Sequence, residues 1–459
     1  MANQQQNSND QNTSQVLVVM VAFPAQSHLN QSLHLSRLIS AYNIPVYYFN
    51  TATHNRQATL RIHGWNPTSN ENIKFHDLVN PSPFSSPDPQ LRDIFYSSDY
   101  LTSFLNQLSS KARRLIVIYD SAMTPVVHGV SPISNAEFYS FSTGSAYVIL
   151  LFIWEQMGKP SLGIDVNMIA PEELPPAEES FDKAFIDYFG PIVELLEKVK
   201  SGNLFNTTRV MEGVYMDILD KISPDKKNYA IGPLNPLTFL EQKASNGRHM
   251  CLEWLDKQAP NSVVYVSFGT TGTMSDEQIK ELALGLKQSQ HKFIWVLRDA
   301  DKIDVFAEDQ GRKLELPEGY EESVKSQGIV VRDWAPQLEI LAHSSTGGFL
   351  SHCGWGSVME SISMGVPMGI WPMIYDQPRV AVLVTKFLKV GIVVREWKHR
   401  NEVATSTVVA TGIRKLMASK GGDEIRMRAA EMGGAVRRSM DDNGASRLDL
   451  DSFIGHITR

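Results

Sequence analysis

The sequence predicts an α/β protein built from two tandem domains, each a sheet with helices packed on it. Three observations carry this. A strand-loop-helix-strand unit opens the chain, the same alternation restarts after apolar periodicity lapses around residues 234–250, and a further strand-turn-helix unit sits inside residues 334–377. A chain of 459 residues is long for a single core, so two or three domains fit its length. Hydrophobic content of 42% with 20% charged residues describes a soluble globular protein, and a net charge of −7 leaves no basic footprint for nucleic acid. Two cysteines, Cys251 and Cys353, make no disulfide framework.

Residues 1–14 are polar, carry one charge and lack the basic and apolar regions of a secretory signal, so they read as a disordered tail. The most apolar run elsewhere, 146–154, is about half the length that spans a bilayer. A cytoplasmic protein without an integral membrane segment is expected.

Residues 16–23 form a continuous apolar run of strand length. The loop Pro24-Ala25-Gln26-Ser27-His28 follows, then a helix over 29–41 and a strand over 46–50. The first loop of a doubly wound sheet is where chemistry is placed, and His28 lies in it. Another buried-type strand, 115–119, delivers Asp120 at its carboxyl end. An acid there could simply cap the next helix, but both residues lie at carboxyl ends of strands in one sheet and can meet. Residues 82–92 and 160–183 are Pro-rich loops, and the acidic run 171–179 reads as a solvated face.

After the linker, residues 262–269 restart the pattern. Ser275 caps a helix with Asp276 and Glu277 in its first turn and Gln278 at the capping-box position. Strands follow over 292–297 and 329–332. Within 334–377, a strand over 347–351 leads through the turn His352-Cys353-Gly354-Trp355-Gly356 into a helix over 357–364, stopped by Gly365-Val366-Pro367. A helix N-terminus under a Gly-containing turn suits an anion, with His352 and Ser357 as added donors. Glu360, one turn further in, suits ribose hydroxyls instead. Trp334 offers a flat face for a base, and Asp376-Gln377 can accept from and donate to sugar hydroxyls. A nucleoside phosphate carrying a sugar is the implied guest. The chain contains no GxGxxG, no GxxxxGK[ST], no HExxH and no paired Cys or His at metal spacing.

Residues 334–377 resemble the sugar-nucleotide signature of plant family 1 UDP-glycosyltransferases. The chain is most similar to the zeatin O-glycosyltransferase branch through Phe23-Pro24-Ala25-Gln26, His28-Leu29-Asn30-Gln31, residues 53–61, Trp154-Glu155-Gln156-Met157-Gly158-Lys159-Pro160 and Trp254-Leu255-Asp256-Lys257-Gln258. The resemblance implies two Rossmann-like domains facing a central cleft, the GT-B type. An acceptor domain would cover 15–235, with a C-terminal helix over 441–459 packing back on it. A linker over 236–250 and a UDP-sugar domain over 251–440 would follow. It implies His28 as base and Asp120 as its orienting partner, Trp334 and Ala335 on uracil, and Gln337 and Glu360 on ribose. His352, Ser357 and Thr270 or Thr271 fall to the diphosphate, Trp355 to the sugar neighbourhood, and Asp376 with Gln377 to the sugar hydroxyls. Gly356 stands where most members carry a phosphate-binding Asn, and Ser27 stands where Gly is usual before the His.

The reaction implied is inverting, metal-free and cofactor-free transfer, expected of a monomer, from UDP-glucose to a hydroxyl of a zeatin-type cytokinin. UDP-rhamnose or UDP-xylose with a flavonoid or flavonoid glycoside is the alternative. A UDP-sugar epimerase or phosphorylase, and a binding protein without turnover, are the remaining readings.

Overall fold

The computed structural model describes residues 15–62, 64–78, 98–163, 165–181, 183, 186–188, 190, 192, 201–237, 248–269, 274–297 and 315–459. The expected tail over 1–14, the loop over 82–92, most of the linker, and Thr270 and Thr271 lie outside them. The chain divides into two compact units. The first comprises 1–160, 183–235 and 439–459, the second 161–182 and 236–438.

In the first unit, seven parallel strands run in the order β3-β2-β1-β4-β5-β6-β7. These are β1 (Val16–Val21), β2 (Val46–Thr51), β3 (Ile73–Leu78), β4 (Arg114–Asp120), β5 (Ala136–Ser142), β6 (Gly202–Phe205) and β7 (Lys227–Ala230). Central strands covered on both faces must be apolar throughout, and β1 is buried at all six positions. Helix α1 (Gln26–Ser40) turns its Leu29, Leu33 and Ile39 into the core beneath Val18, Met20 and Ile118. The order reverses between β1, which leads to β2 on one side, and β4 on the other. That switch point is where a doubly wound sheet opens a binding crevice. The C-terminal helix α8 (Ala445–Thr458) belongs to this unit, its Phe453 edge-on to Tyr139 and Tyr229 at 5.2 and 5.4 Å. Arg113 and Arg114 hold its last carbonyls, donating to Thr458 at 2.9 Å and His456 at 2.8 Å.

The second unit repeats the plan with the order β10-β9-β8-β11-β12-β13. Its strands are β8 (Val263–Ser267), β9 (Lys292–Val296), β10 (Gly328–Val331), β11 (Thr346–Ser351), β12 (Met368–Ile370) and β13 (Gly391–Val393). Its switch point lies between β8 and β11. Ser275 caps helix α4 (Asp276–Ser289) through the Gln278 N–H at 3.1 Å, as the pattern predicts. The reciprocal half of the capping box is absent. The buried Gln278 side chain instead donates to the Ala404 carbonyl at 3.0 Å and accepts from Arg395 at 2.7 Å, because a tertiary partner competes for its amide.

One boundary differs from the sequence expectation, since residues 161–182 group with the second unit rather than the first. Phe181, 3% exposed, lies under the guanidinium of the fully buried Arg379 at 5.5 Å. Glu179 pairs with Arg400 at 3.6 Å and Glu173 with Lys386. The acidic run is therefore a docking edge rather than only a solvated face. Its exposed ion pairs set register while Phe181 supplies the burial.

Candidate functional site

His28 and Asp120 meet at the switch point of the first unit, and His352 and Ser357 follow β11 at that of the second. In the first, α1 begins at Gln26, earlier than the sequence suggests, because Ala25 is already extended and its carbonyl accepts the Leu29 N–H at 2.9 Å. His28 therefore stands in the first turn of a helix rather than in a loop, which fixes its direction more firmly. Ser27 occupies an exposed position of that turn, where a side chain in place of hydrogen meets solvent. Gln26 is buried and bonds Asn30 at 2.7 Å and Gln57 at 2.8 Å, so the turn is tied to the rest of the unit.

Asp120 performs both roles open to an acid at a strand end. Its Oδ1 accepts the Ala122 N–H at 3.0 Å, capping the turn that follows, and its Oδ2 lies 2.7 Å from His28 Nδ1. Asp120 is fully buried, whereas the His28 side chain is 29% exposed. A carboxylate only accepts, so the ring proton belongs on Nδ1 and the basic lone pair on Nε2. Thr143 joins them with its Oγ1 2.8 Å from the same Nδ1, as second acceptor of a three-centre bond. Sequence reasoning missed Thr143. The available signal was that β5 follows the strand bearing Asp120 and pairs with it, placing residues just past 142 at the same sheet edge.

At the second switch point, helix α6 (Trp355–Met364) also starts early, with Val358 N–H to the Gly354 carbonyl at 3.1 Å. The N–H groups of Trp355, Gly356 and Ser357 thus have no carbonyl within the helix, and they form its positive end. The Trp355 ring itself is buried, 3% exposed. His352 is clamped between two glycines. A Cβ on Gly354, or on Gly269 at φ +75°, would stand 2.6 Å from His352 Nε2. Burial pushes its imidazole down to about 4, only partly offset by a backbone hydrogen bond at Ser267. His352 is consequently a neutral N–H donor at physiological pH. Gly354→Ala would displace that ring from the helix end.

Helix α5 (Gln337–Ala342) brings Gln337 to the same edge. Its Nε2 donates to Glu360 at 2.7 Å and to Ser357 at 3.1 Å, while the Tyr265 hydroxyl, a second residue missed in the sequence, donates to its Oε1 at 3.3 Å. Burial, reinforced by the nearby Glu339 carboxylate and opposed by the Gln337 bond, pushes Glu360 up to about 7. Trp334 is half-buried and Ala335 buried, the Ala335 carbonyl receiving the Gln337 N–H at 2.8 Å. Asp376 precedes helix α7 (Gln377–Val382). Gln377 is less versatile than its type suggests. Its Oε1 is committed to the N–H groups of Met373 at 2.8 Å and Ile374 at 3.0 Å, which leaves the amide nitrogen as the end that can donate to a hydroxyl. Among the described residues, no group of three His, Cys, Asp or Glu could hold a metal ion, and no helix is long and apolar enough to cross a membrane.

A helix N-terminus at the switch point of a parallel α/β unit suits an anionic ligand such as a nucleotide, and comparison with known proteins specifies the class. Residues 14–236 match the family described as glycosyltransferase, N-terminal domain, and residues 242–424 match UDP-glucoronosyl and UDP-glucosyl transferase. The chain is 50% identical to the zeatin O-glucosyltransferase of Phaseolus lunatus, covering 97% of this chain and 98% of that one. It is 48% identical to the zeatin O-xylosyltransferase of Phaseolus vulgaris, covering 97% and 99%. A crystal structure of a UGT transferase from Siraitia grosvenorii in complex with UDP superposes with a TM-score of 0.77 at 26% identity, covering 97% and 100%. The chain belongs to the UDP-glycosyltransferase family.

Proposed function

We propose that this protein is an inverting O-glycosyltransferase that moves glucose from UDP-glucose to a hydroxyl of a zeatin-type cytokinin. In this reading it works as a cytosolic monomer, with His28 as general base. The observation that carries the chemistry is the 2.7 Å bond between His28 Nδ1 and the buried Asp120, which gives Nε2 the lone pair. The acceptor hydroxyl gives its proton to Nε2 as its oxygen bonds to C1 of the sugar. The C1–O bond to the diphosphate breaks, UDP departs with the electron pair, and the anomeric centre inverts from α to β. Asp120 stabilises the imidazolium that results.

Charge growing on the diphosphate is met by the N–H groups of residues 355–357 and by neutral His352, so this reading calls for no metal. Gln337 and Glu360 hold the ribose, Trp334 and Ala335 the uracil, and Asp376 and the Gln377 amide nitrogen the sugar hydroxyls. Thr270 and Thr271 complete the phosphate site in the same reading. Only the ionised Glu360 accepts from two ribose hydroxyls. The KM for UDP-glucose is therefore expected to fall as pH rises from ~6 to ~8, through the raised value of about 7, and Glu360→Gln to flatten that dependence.

Support for the acceptor comes from the two full-length relatives named for zeatin, and the same pair favours UDP-xylose as the second donor reading. Xylose lacks only the hydroxymethyl group, so contacts at Asp376 and Gln377 serve either sugar. The test is mass-resolved product formation from UDP-glucose, UDP-xylose and UDP-rhamnose with zeatin isomers and flavonoids. A hexose on zeatin supports the proposal. A pentose on zeatin moves the donor assignment to xylose, and transfer only to flavonoids overturns the acceptor.

A further inference from the structure

The first unit contains a buried carboxylate that the mechanism above does not use. Glu212 is fully buried in helix α3 (Arg209–Ile222), and among the described residues it has no cationic partner. It stands where that helix breaks its own geometry, at φ −124° and ψ 23°. A desolvated acid on a distorted helical turn is costly twice over, so something must hold it there. The donors come from the start of helix α2 (Ala146–Gln156). Ser145 Oγ donates to Glu212 Oε1 at 2.5 Å, the Tyr147 N–H reaches the same oxygen at 2.9 Å, and the Ala146 N–H reaches Oε2 at 3.0 Å. Ser145 also accepts the Val148 N–H at 3.4 Å as the cap of α2. The carboxylate thus closes the N-terminus of a helix on a different segment of chain and sits in the positive end of its dipole.

The turn it holds is the one that carries Thr143. Only Gly144 separates Thr143 from Ser145, and a Gly offers the backbone there little resistance to rotation. We infer that Glu212 is a positioning residue for the general base: by locking residues 145–147 it fixes the Thr143 hydroxyl against His28 Nδ1, beside Asp120, so that this ring nitrogen is held by two partners. Asp120 alone sets the tautomer, while Thr143 restrains rotation of the ring about the Asp120 contact. The distorted turn of α3 lets the Glu212 carboxylate reach α2, and its position is accounted for by that reach.

This inference rests on the assignment of His28 as base. It is tested with the full chain by steady-state kinetics on Glu212→Gln, Thr143→Val and the double variant. Loss of one orienting hydrogen bond predicts a kcat about 10-fold lower in each single variant, with the KM for UDP-glucose unchanged. The double variant should fall no further than either single one, because both remove the same restraint. A purely structural role for Glu212 lowers Tm but gives losses that multiply in the double variant, and that result overturns the inference. If Glu212→Gln fails to fold, Ser145→Ala replaces it in the same cycle. Non-additivity with Thr143→Val then supports the inference, and independent losses overturn it. An unsubstituted protein that transfers no sugar overturns the base assignment and this inference together, whereas an active one with independent losses overturns the inference alone.

Discussion

His28→Ala is expected to lower kcat by at least ~100-fold while leaving the affinity for UDP unchanged, which initial rates at saturating UDP-glucose and calorimetry with UDP would read. The magnitude follows from the role. Without a base, the hydroxyl attacks while still carrying its proton, and neither neighbour can replace the imidazole. Asp120 is fully buried with both oxygens engaged, and the Thr143 hydroxyl is far too weak a base. The unchanged UDP affinity follows from the proposed reading, in which His28 belongs to the first unit and the UDP-binding residues to the second. Stability should fall modestly, since the substitution leaves Oδ2 of the fully buried Asp120 without its His28 donor, so Tm is read beside kcat. A variant that keeps its rate within about 10-fold would remove His28 from the chemistry. Unaltered UDP binding together with an inactive parent would instead favour a binding protein without turnover.

Legibility in the sequence followed period and position. Strands such as β1 and β4, buried on both faces, announce themselves as unbroken apolar runs, and the residue at each carboxyl end could be named from the chain alone. The starts of α1 and α6 were misplaced because neither helix has a side-chain cap to mark it: Ala25 and Gly354 provide only the right dihedral angles. Contacts between distant segments left no local signature at all. Glu212 reads as one more polar residue of an amphipathic helix, Tyr265 as a strand aromatic, and Gln278 as half of a capping box. Each becomes legible only when the fold supplies its partner, at a separation of 67, 72 or 126 residues. The glycines beside His352 behave alike, since the need for hydrogen at 269 and 354 comes from a ring that packing brings to them.

Asp120→Asn is expected to lower kcat by about 10³- to 10⁴-fold, the size known for the equivalent change in a His-Asp pair, in a protein that remains folded. An asparagine preserves volume and can keep its oxygen on the Ala122 N–H, so the cap of the turn survives. What faces His28 is then an amide N–H in place of a carboxylate oxygen, and two N–H groups cannot share the 2.7 Å contact. The ring must move its proton to Nε2 and turn its lone pair toward the amide. The nitrogen that should receive the acceptor's proton is then already protonated, and no buried anion remains to stabilise an imidazolium. Thr143 does not rescue it, because its hydroxyl bonds Nδ1 in either tautomer and selects neither. Asp120→Ala supplies the control, since it loses the cap along with the orienting oxygen, and its Tm should fall by more than that of Asp120→Asn. Equal and small losses of kcat in the two variants would reduce Asp120 to a turn cap. A larger kcat loss per degree of Tm in Asp120→Asn is what an orienting carboxylate requires.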